Sequence, residues 1–127
     1  MRLLVDTSVL IDHLRGDPRA VQLLVEAVRA GHELHSVTVV RTEVLAGMRR
    51  GEEKATLSLL GALGWQEVTV AIADRAGEWA RRFLRSHAGV DTVDYIVAAA
   101  AEQIGARLLT QNVRHFPMIA GLRAAYT

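Results

Sequence analysis

The chain has 127 residues, of which 50% are hydrophobic, a formal net charge of +1 and no cysteine. This length supports one hydrophobic core, and no linker, repeat or low-complexity tract divides the chain, so we expect a single domain over residues 1–127. The absence of cysteine excludes a disulfide framework and a thiolate zinc site. No apolar run has the length of a signal-peptide core or a membrane span, which predicts a cytoplasmic protein without membrane contact.

The first half of the chain predicts two strands, each followed by helices. Residues 2–5 form an apolar run without polar alternation, which is typical of a buried parallel strand. The segment 6–8 is expected to supply capping hydroxyls for a first helix, and residues 18–31 repeat apolar side chains at helical spacing behind a proline. The alternating residues 33–37 predict the second strand, and Thr38 is expected to cap the next helix.

The second half continues the same alternation. Helical patterns are predicted over 52–63 and 72–84, with a third strand over 67–70 between them. The helix over 91–104, capped at its first or second residue, is apolar on nearly all sides, which predicts a central position. Residues 107–110 predict a fourth strand.

Strands that alternate with helices predict a parallel sheet covered on both faces. We therefore expect an α/β fold, a three-layer α/β/α sandwich with a short central parallel sheet. Ligands of such sheets bind beyond the carboxyl ends of the strands. Asp6 and Asn112 each lie directly past a predicted strand at that edge.

Four oxygen-bearing side chains stand beside apolar runs, namely Asp6, Glu43, Asp94 and Asn112. Carboxylates at the ends of buried elements are costly unless a cation pairs with them. Mg²⁺ and Mn²⁺ prefer oxygen ligands, so we predict that the three carboxylates bind one of these ions and that the amide assists them. Such an ion orients a phosphodiester and lowers the pKa of a water, which indicates hydrolysis of RNA or DNA.

The motifs that carry these residues resemble a known family. They are Leu4-Val5-Asp6-Thr7-Ser8-Val9-Leu10-Ile11, Thr42-Glu43-Val44-Leu45-Ala46-Gly47, Asp94-Tyr95-Ile96-Val97-Ala98-Ala99 and Leu109-Thr110-Gln111-Asn112-Val113-Arg114-His115-Phe116. In this order and spacing they resemble the PIN-domain nucleases, and in particular the VapC toxins of type II toxin-antitoxin (VapBC) pairs. The resemblance covers nearly the whole chain.

The resemblance implies a PIN-like fold and a Mg²⁺- or Mn²⁺-dependent endoribonuclease that hydrolyses RNA phosphodiester bonds. It also implies a homodimer and a hetero-oligomer with a cognate VapB-type antitoxin, which silences the enzyme by inserting a C-terminal segment near the active site. By position, Asp6, Glu43 and Asp94 become the catalytic metal ligands, and Thr7 or Ser8 supplies a hydroxyl that orients them.

One motif departs from the family pattern. Family members often have an aspartate where this chain has Asn112 or His115, so the site is about one negative charge short and the case for a second metal ion is weakened. Asn112 is still expected to take part in catalysis by orienting a metal-bound water. Ser8 and Arg114 are the candidate substrate-binding residues, since Arg114 lies two positions from Asn112.

Several interpretations remain beside this one. The missing carboxylate favours a catalytically weak PIN-fold module that binds RNA or a protein partner, and a housekeeping RNA-processing nuclease is a further alternative. Asp6 is equally suited to capping a helix, and Asp91 is expected to be a cap rather than a ligand. Asp12 is expected on the surface. An aspartyl-phosphate phosphatase is disfavoured because Ser8 stands where that class needs a second aspartate.

Overall fold

The structure, a computed structural model, describes residues 1–127 and separates each pair of successive strands by two helices. The elements are β1 (Arg2–Val5), α1 (Thr7–Leu14), α2 (Pro18–Arg29), β2 (Glu33–Val37), α3 (Thr38–Ala46), α4 (Glu53–Gly61), β3 (Gly64–Gln66), α5 (Val70–Phe83), α6 (Thr92–Ile104) and β4 (Arg107–Leu109). A 3-10 turn, Val113–His115, follows β4. No helix is both long enough and apolar enough to cross a membrane.

The four strands pair in parallel in the order β3-β2-β1-β4, which confirms the predicted parallel sheet flanked by helices. Leu4 of β1 pairs with His35 of β2 on one side and with Leu108 of β4 on the other. The chain therefore steps outward from β1 to β3 and then returns to the opposite side of β1. This reversal creates a crevice between the carboxyl ends of β1 and β4, where ligands of open parallel sheets bind.

The core is one cluster of 24 buried residues centred on β1 and α6. Helix α6 contacts β1, β2 and β4, and its run of small residues, Ala98–Ala101, is buried. Small side chains allow the helix to approach the sheet closely, and this confirms the predicted central position of the apolar helix. As expected, Gly105 ends α6 in the left-handed conformation, with φ of 65°.

The third strand lies earlier in the chain than predicted. It is β3, Gly64–Gln66, and the predicted residues 67–70 instead lead into α5, because the Thr69 hydroxyl accepts a hydrogen bond from the Ile72 backbone N–H at 3.2 Å. The His35 ring occupies the space where a Cβ at position 64 would lie, 2.6 Å from its Nδ1, so glycine is required there. Val70, which suggested a strand, is 78% exposed.

The side-chain caps expected at two helices are wrong: no side chain caps α1, and Thr38 is the first residue of α3 rather than its cap. Asp17 caps α2, which was not predicted; its Oδ1 accepts from the Arg19 backbone N–H at 3.0 Å. The hydroxyls near the start of α1 bond elsewhere, in the crevice at the end of β1.

Candidate active site

All four predicted catalytic residues line one cleft of about 450 Å³ at the carboxyl ends of the strands. Asp6 directly follows β1, Glu43 lies in α3, Asp94 lies in the first turn of α6, and Asn112 follows β4. We call this the acidic cleft; its lining residues are Asp6, Thr7, Ser8, Ile11, Asp12, Glu43, Asp91, Val93, Asp94, Gln111, Asn112 and His115. The fold thus brings together residues separated by most of the chain.

Asp6 is only 5% exposed, and hydroxyl groups hold its carboxylate. Its Oδ2 accepts hydrogen bonds from Thr110 Oγ1 at 2.7 Å and from Ser8 Oγ at 3.3 Å. Burial raises the pKa of Asp6 above its ordinary value, and these hydroxyl bonds counteract the shift only in part. Asp6 occupies the N-cap position of α1, but its side chain makes no capping bond there.

Glu43 is exposed but is not free in orientation. Thr7 Oγ1 donates a hydrogen bond of 2.6 Å to Glu43 Oε1, which ties α3 to the start of α1. This contact agrees with the expectation that a hydroxyl at position 7 or 8 orients the acidic set. The other carboxylate oxygen of Glu43 is not engaged by that bond, and Glu43 lines the acidic cleft.

Asp94 accepts a hydrogen bond at the start of α6 and also lines the acidic cleft. Its Oδ2 accepts from the backbone N–H of Asp91 at 2.9 Å, and the Nδ1 of His115 lies 3.4 Å from the same oxygen. Burial raises the pKa of Asp94, the Asp91 N–H and His115 lower it, and the charge of Asp6 raises it further. As expected, Asp91 is the N-cap residue of α6. Two carboxyl groups with raised pKa thus face the same crevice.

Thr110 is a positioning residue that sequence reasoning missed. It is fully buried, and its hydroxyl donates to Asp6 while accepting from the Asn112 backbone N–H at 3.0 Å. Ser8 Oγ likewise accepts from the Gln111 backbone N–H at 3.1 Å, so it is engaged inside the protein. The substrate-binding role of Ser8 stays a prediction. The sequence did offer one signal for Thr110: it is a polar residue at the end of a predicted strand, close to Asn112.

Asp12 was expected on the surface, and this expectation is wrong. It lines the acidic cleft, and the Tyr126 hydroxyl donates a hydrogen bond to its Oδ2 at 2.5 Å. Burial and this bond raise the pKa of Tyr126 well above its usual range. Arg114 is exposed and lines a neighbouring cleft together with Asn112 and His115, so its predicted place beside the site is confirmed but its role is not tested.

The donor atoms of the acidic cleft are of the kind that binds a divalent cation. Carboxylate oxygens are the ligands that Mg²⁺ and Mn²⁺ prefer. A bound cation would offset the cost of desolvating the carboxylates of Asp6 and Asp94, which is what raises their pKa. As the side chains stand, no group of three or more His, Asp or Glu residues is arranged to hold a metal ion. Ligation would therefore require a side-chain rotation, and for exposed Glu43 this rotation breaks or redirects its hydrogen bond with Thr7.

The parallel sheet ordered β3-β2-β1-β4 and the carboxylates at its reversal point together define a class of protein. Comparison with known proteins identifies that class. The chain belongs to the PIN-domain family, whose model matches residues 3–122. It is 46% identical over 123 residues to Ribonuclease VapC19 of Mycobacterium tuberculosis, covering 97% of this chain and 98% of that protein. It is 41% identical over 124 residues to Ribonuclease VapC10 of the same organism, covering 98% and 92%.

A solved structure gives the same result. The fold is similar to that of a chain in a toxin-antitoxin complex from Klebsiella pneumoniae, with a TM-score of 0.79 and 25% identity over 98% of both chains. Together these findings confirm the predicted PIN fold and the resemblance to VapC-type proteins.

Proposed function

We propose that this chain is the toxin of a type II toxin-antitoxin pair, a Mg²⁺- or Mn²⁺-dependent endoribonuclease that acts in the cytoplasm. The observation that carries the proposal is the convergence of Asp6, Glu43 and Asp94 on one cleft at the reversal point of the sheet. The ribonuclease names of relatives that match nearly the full length of the chain support the choice of RNA as substrate.

In this proposal Asp6, Glu43 and Asp94 hold the ion. When bound, the ion supplies a Lewis acid for the phosphate and lowers the pKa of the attacking water. Thr110 and Ser8 keep the Asp6 carboxylate directed into the cleft, and Thr7 does the same for Glu43. These hydroxyls act through the ligands they orient, as outer-shell hydrogen-bond partners of metal ligands generally do.

Asn112 and His115 complete the rim of the cleft on the side of β4. The exposed amide of Asn112 is able to donate a hydrogen bond to a phosphate oxygen or to hold a water molecule. His115 lies 3.4 Å from Asp94, where a carboxylate is common in the resembling family. We expect a single ion to bind here, since Asn112 and His115 stand where the resembling family often has a further carboxylate that would favour two.

The partner in this proposal is a VapB-type antitoxin that neutralises the nuclease within a hetero-oligomer containing a homodimer of this chain. The similarity to a chain from a toxin-antitoxin complex supports such a partner. An antitoxin segment that covers the acidic cleft would block both substrate and ion. Co-expression with a VapB-type antitoxin, followed by co-purification, tests this part directly.

A second candidate function is a catalytically weak module that binds RNA without cutting it. Two observations favour it: Asn112 and His115 stand where a further carboxylate is common in the resembling family, and no three ligating side chains of the cleft lie close enough, as they stand, to hold one ion. Binding of RNA without cleavage in either metal would support this alternative.

The deciding experiment is cleavage of total cellular RNA by the purified protein with Mg²⁺, with Mn²⁺ and with chelator, beside Asp94→Asn. Fragments that require metal and vanish in the variant would establish the nuclease and its site. Sequencing the fragment ends would then locate the cut. If the folded wild-type protein cuts nothing in any condition while it still binds RNA, the nuclease proposal fails and the binding module stands.

A further inference from the structure

A second cleft, of about 730 Å³, adjoins the acidic cleft and shares Gln111, Asn112 and His115 with it. We call it the flanking cleft; its other lining residues are His87, Gly89, Val90, Val113, Arg114 and Pro117. We propose that the flanking cleft binds the nucleotide next to the scissile phosphate, with its base stacked on His87 and a phosphate paired with Arg114. The proposal rests on the proposed ribonuclease function and assigns it a substrate subsite.

The charge of the two clefts indicates the path of the RNA. The acidic cleft is lined by five carboxylates, whereas no Asp or Glu lines the flanking cleft and Arg114 contributes a guanidinium. A polyanion that places one phosphate in the acidic cleft is repelled along the rest of it, unless a cation is present. Its neighbouring phosphate therefore lies most favourably in the flanking cleft, next to an exposed Arg.

His87 is exposed, yet its ring is held in one orientation. The ring packs edge-to-face on Phe83, with centroids 5.5 Å apart at 76°, and its Nδ1 lies 2.8 Å from Ser86 Oγ. Its backbone N–H donates to the Phe83 carbonyl at 2.9 Å, and its carbonyl accepts from Val90 at 3.2 Å. A ring that is ordered without being covered offers a free face, and unstacked RNA bases stack on histidine as well as on larger aromatic rings.

The volume and the lining side chains of the flanking cleft suit a single nucleotide. Its volume lies within the range of small-ligand sites, about 300 to 1,000 Å³. Asn112 adds an exposed amide that can hydrogen-bond a base edge, whereas the amide of Gln111 is already bonded to the Tyr126 backbone. The Arg114 guanidinium can bond a phosphate with two parallel N–H donors. The subsite thus has a stacking face, an anion partner and donors for a base.

The test measures RNA binding separately from cleavage. Fluorescein-labelled single-stranded RNA of about 12 nucleotides with random sequence is titrated with the protein in chelator, and the Kd is read from fluorescence anisotropy. The variants are His87→Ala, His87→Phe and Arg114→Ala, with Arg81→Ala as the matched control because Arg81 is exposed on α5 and lines neither cleft. Circular dichroism checks that each variant is folded.

We expect His87→Ala to weaken binding about tenfold, as loss of one stacked base does, and His87→Phe to restore it. Arg114→Ala should weaken binding several-fold and reduce its dependence on salt, while Arg81→Ala should leave both unchanged. In end sequencing of cleaved total RNA, the base preference at one position beside the cut should flatten in His87→Ala and persist in His87→Phe.

Failure of the subsite proposal is distinguishable from failure of the proposed ribonuclease function. If the wild-type protein cuts and binds RNA but His87→Ala behaves like wild type in both measurements, the subsite is wrong and the nuclease proposal is untouched. Equal losses for Arg81→Ala and Arg114→Ala would also overturn it, because binding would then depend only on overall charge. If the wild-type protein neither binds nor cuts RNA, the proposed function itself fails.

Discussion

The acidic cleft and the flanking cleft share one wall but are built in opposite ways. The three proposed metal ligands of the acidic cleft come from the end of β1, from α3 and from α6, and hydroxyl groups hold two of them in place. The flanking cleft is formed by two short loop segments, 87–90 and 111–117, whose polar side chains are mostly exposed. In the two proposals, chemistry depends on long-range order, whereas substrate selection depends on surface side chains.

This contrast has an energetic consequence. Substitutions in the acidic cleft change buried charges and their hydrogen bonds, so they alter both activity and the free energy of unfolding. Substitutions in the flanking cleft remove exposed groups, so they should alter RNA affinity and leave stability within about 0.5 kcal/mol. Each prediction below tests one side of this difference, in order of expected effect.

The largest effect is expected from Asp94→Asn, which removes a proposed metal ligand from the first turn of α6. We expect kcat/KM for RNA cleavage to fall about a hundredfold or more, as when a charge-stabilising group is lost from an active site. The amide retains an acceptor for the Asp91 N–H, so the fold should persist. Asp74→Asn, on the exposed face of α5, is the matched control and should cleave like wild type.

Thr110→Val tests whether a buried hydroxyl positions Asp6. The change keeps the shape of the side chain but removes the 2.7 Å bond to the carboxylate, so we expect about tenfold lower activity. Chemical denaturation should show a loss of about 2 kcal/mol in the free energy of unfolding, since the acceptor is charged and buried.

Thr56→Val is the control for this prediction. Thr56 is fully buried like Thr110, but its hydroxyl has no hydrogen-bond partner. Its replacement should therefore be neutral or slightly stabilising and should not affect cleavage. Equal destabilisation by the two substitutions would mean that the Asp6 contact contributes nothing specific.

His115→Asp places a carboxylate beside Asp94 on the wall that both clefts share. The added negative charge should tighten Mn²⁺ binding roughly tenfold, because affinity for hard cations rises with the number of charged oxygen ligands. Without metal, the variant should be less stable than wild type, because a like charge replaces the histidine 3.4 Å from Asp94. Isothermal titration calorimetry measures the first effect, and an unchanged or weaker affinity would contradict it.

The smallest effect concerns pH in the absence of metal. Burial raises the pKa of Asp6 above 3.8, so the folded state binds this proton more tightly than the unfolded chain. The free energy of unfolding must then fall as pH rises from the ordinary value through the raised one. Asp94 shifts in the same direction.

The side chain of the Asp6→Asn variant cannot ionise at position 6, so the fall in the free energy of unfolding that Asp6 causes should be absent. Measured in chelator, the Tm of this variant should match wild type near pH 4 and exceed it increasingly as the pH rises to neutral. The comparison with wild type cancels the titration of His13, whose pKa burial lowers. A difference that shrinks as pH rises would show that the ionised carboxylate stabilises the fold instead.

Much of the fold was predictable because its signals are local. The helical period of α5 and the apolar run of β1 are visible within a few residues, and both elements lie where they were expected. The strand β3 was misplaced because its position depends on a remote contact: Gly64 fits against the ring of His35 on the neighbouring strand. No pattern within residues 64–70 contains that information.

The sequence by itself determined the chemistry that the site is able to offer, since Asp6, Glu43, Asp94 and Asn112 were identifiable as oxygen donors beside apolar elements. Only the tertiary structure decided which side chains join them. Thr110 reaches Asp6 across 104 positions of the chain, and His87 reaches the same wall as Asn112 through the packing of loops. Such contacts follow from the order of strands in the sheet, because parallel pairing of β1 with β4 places the two ends of the chain side by side.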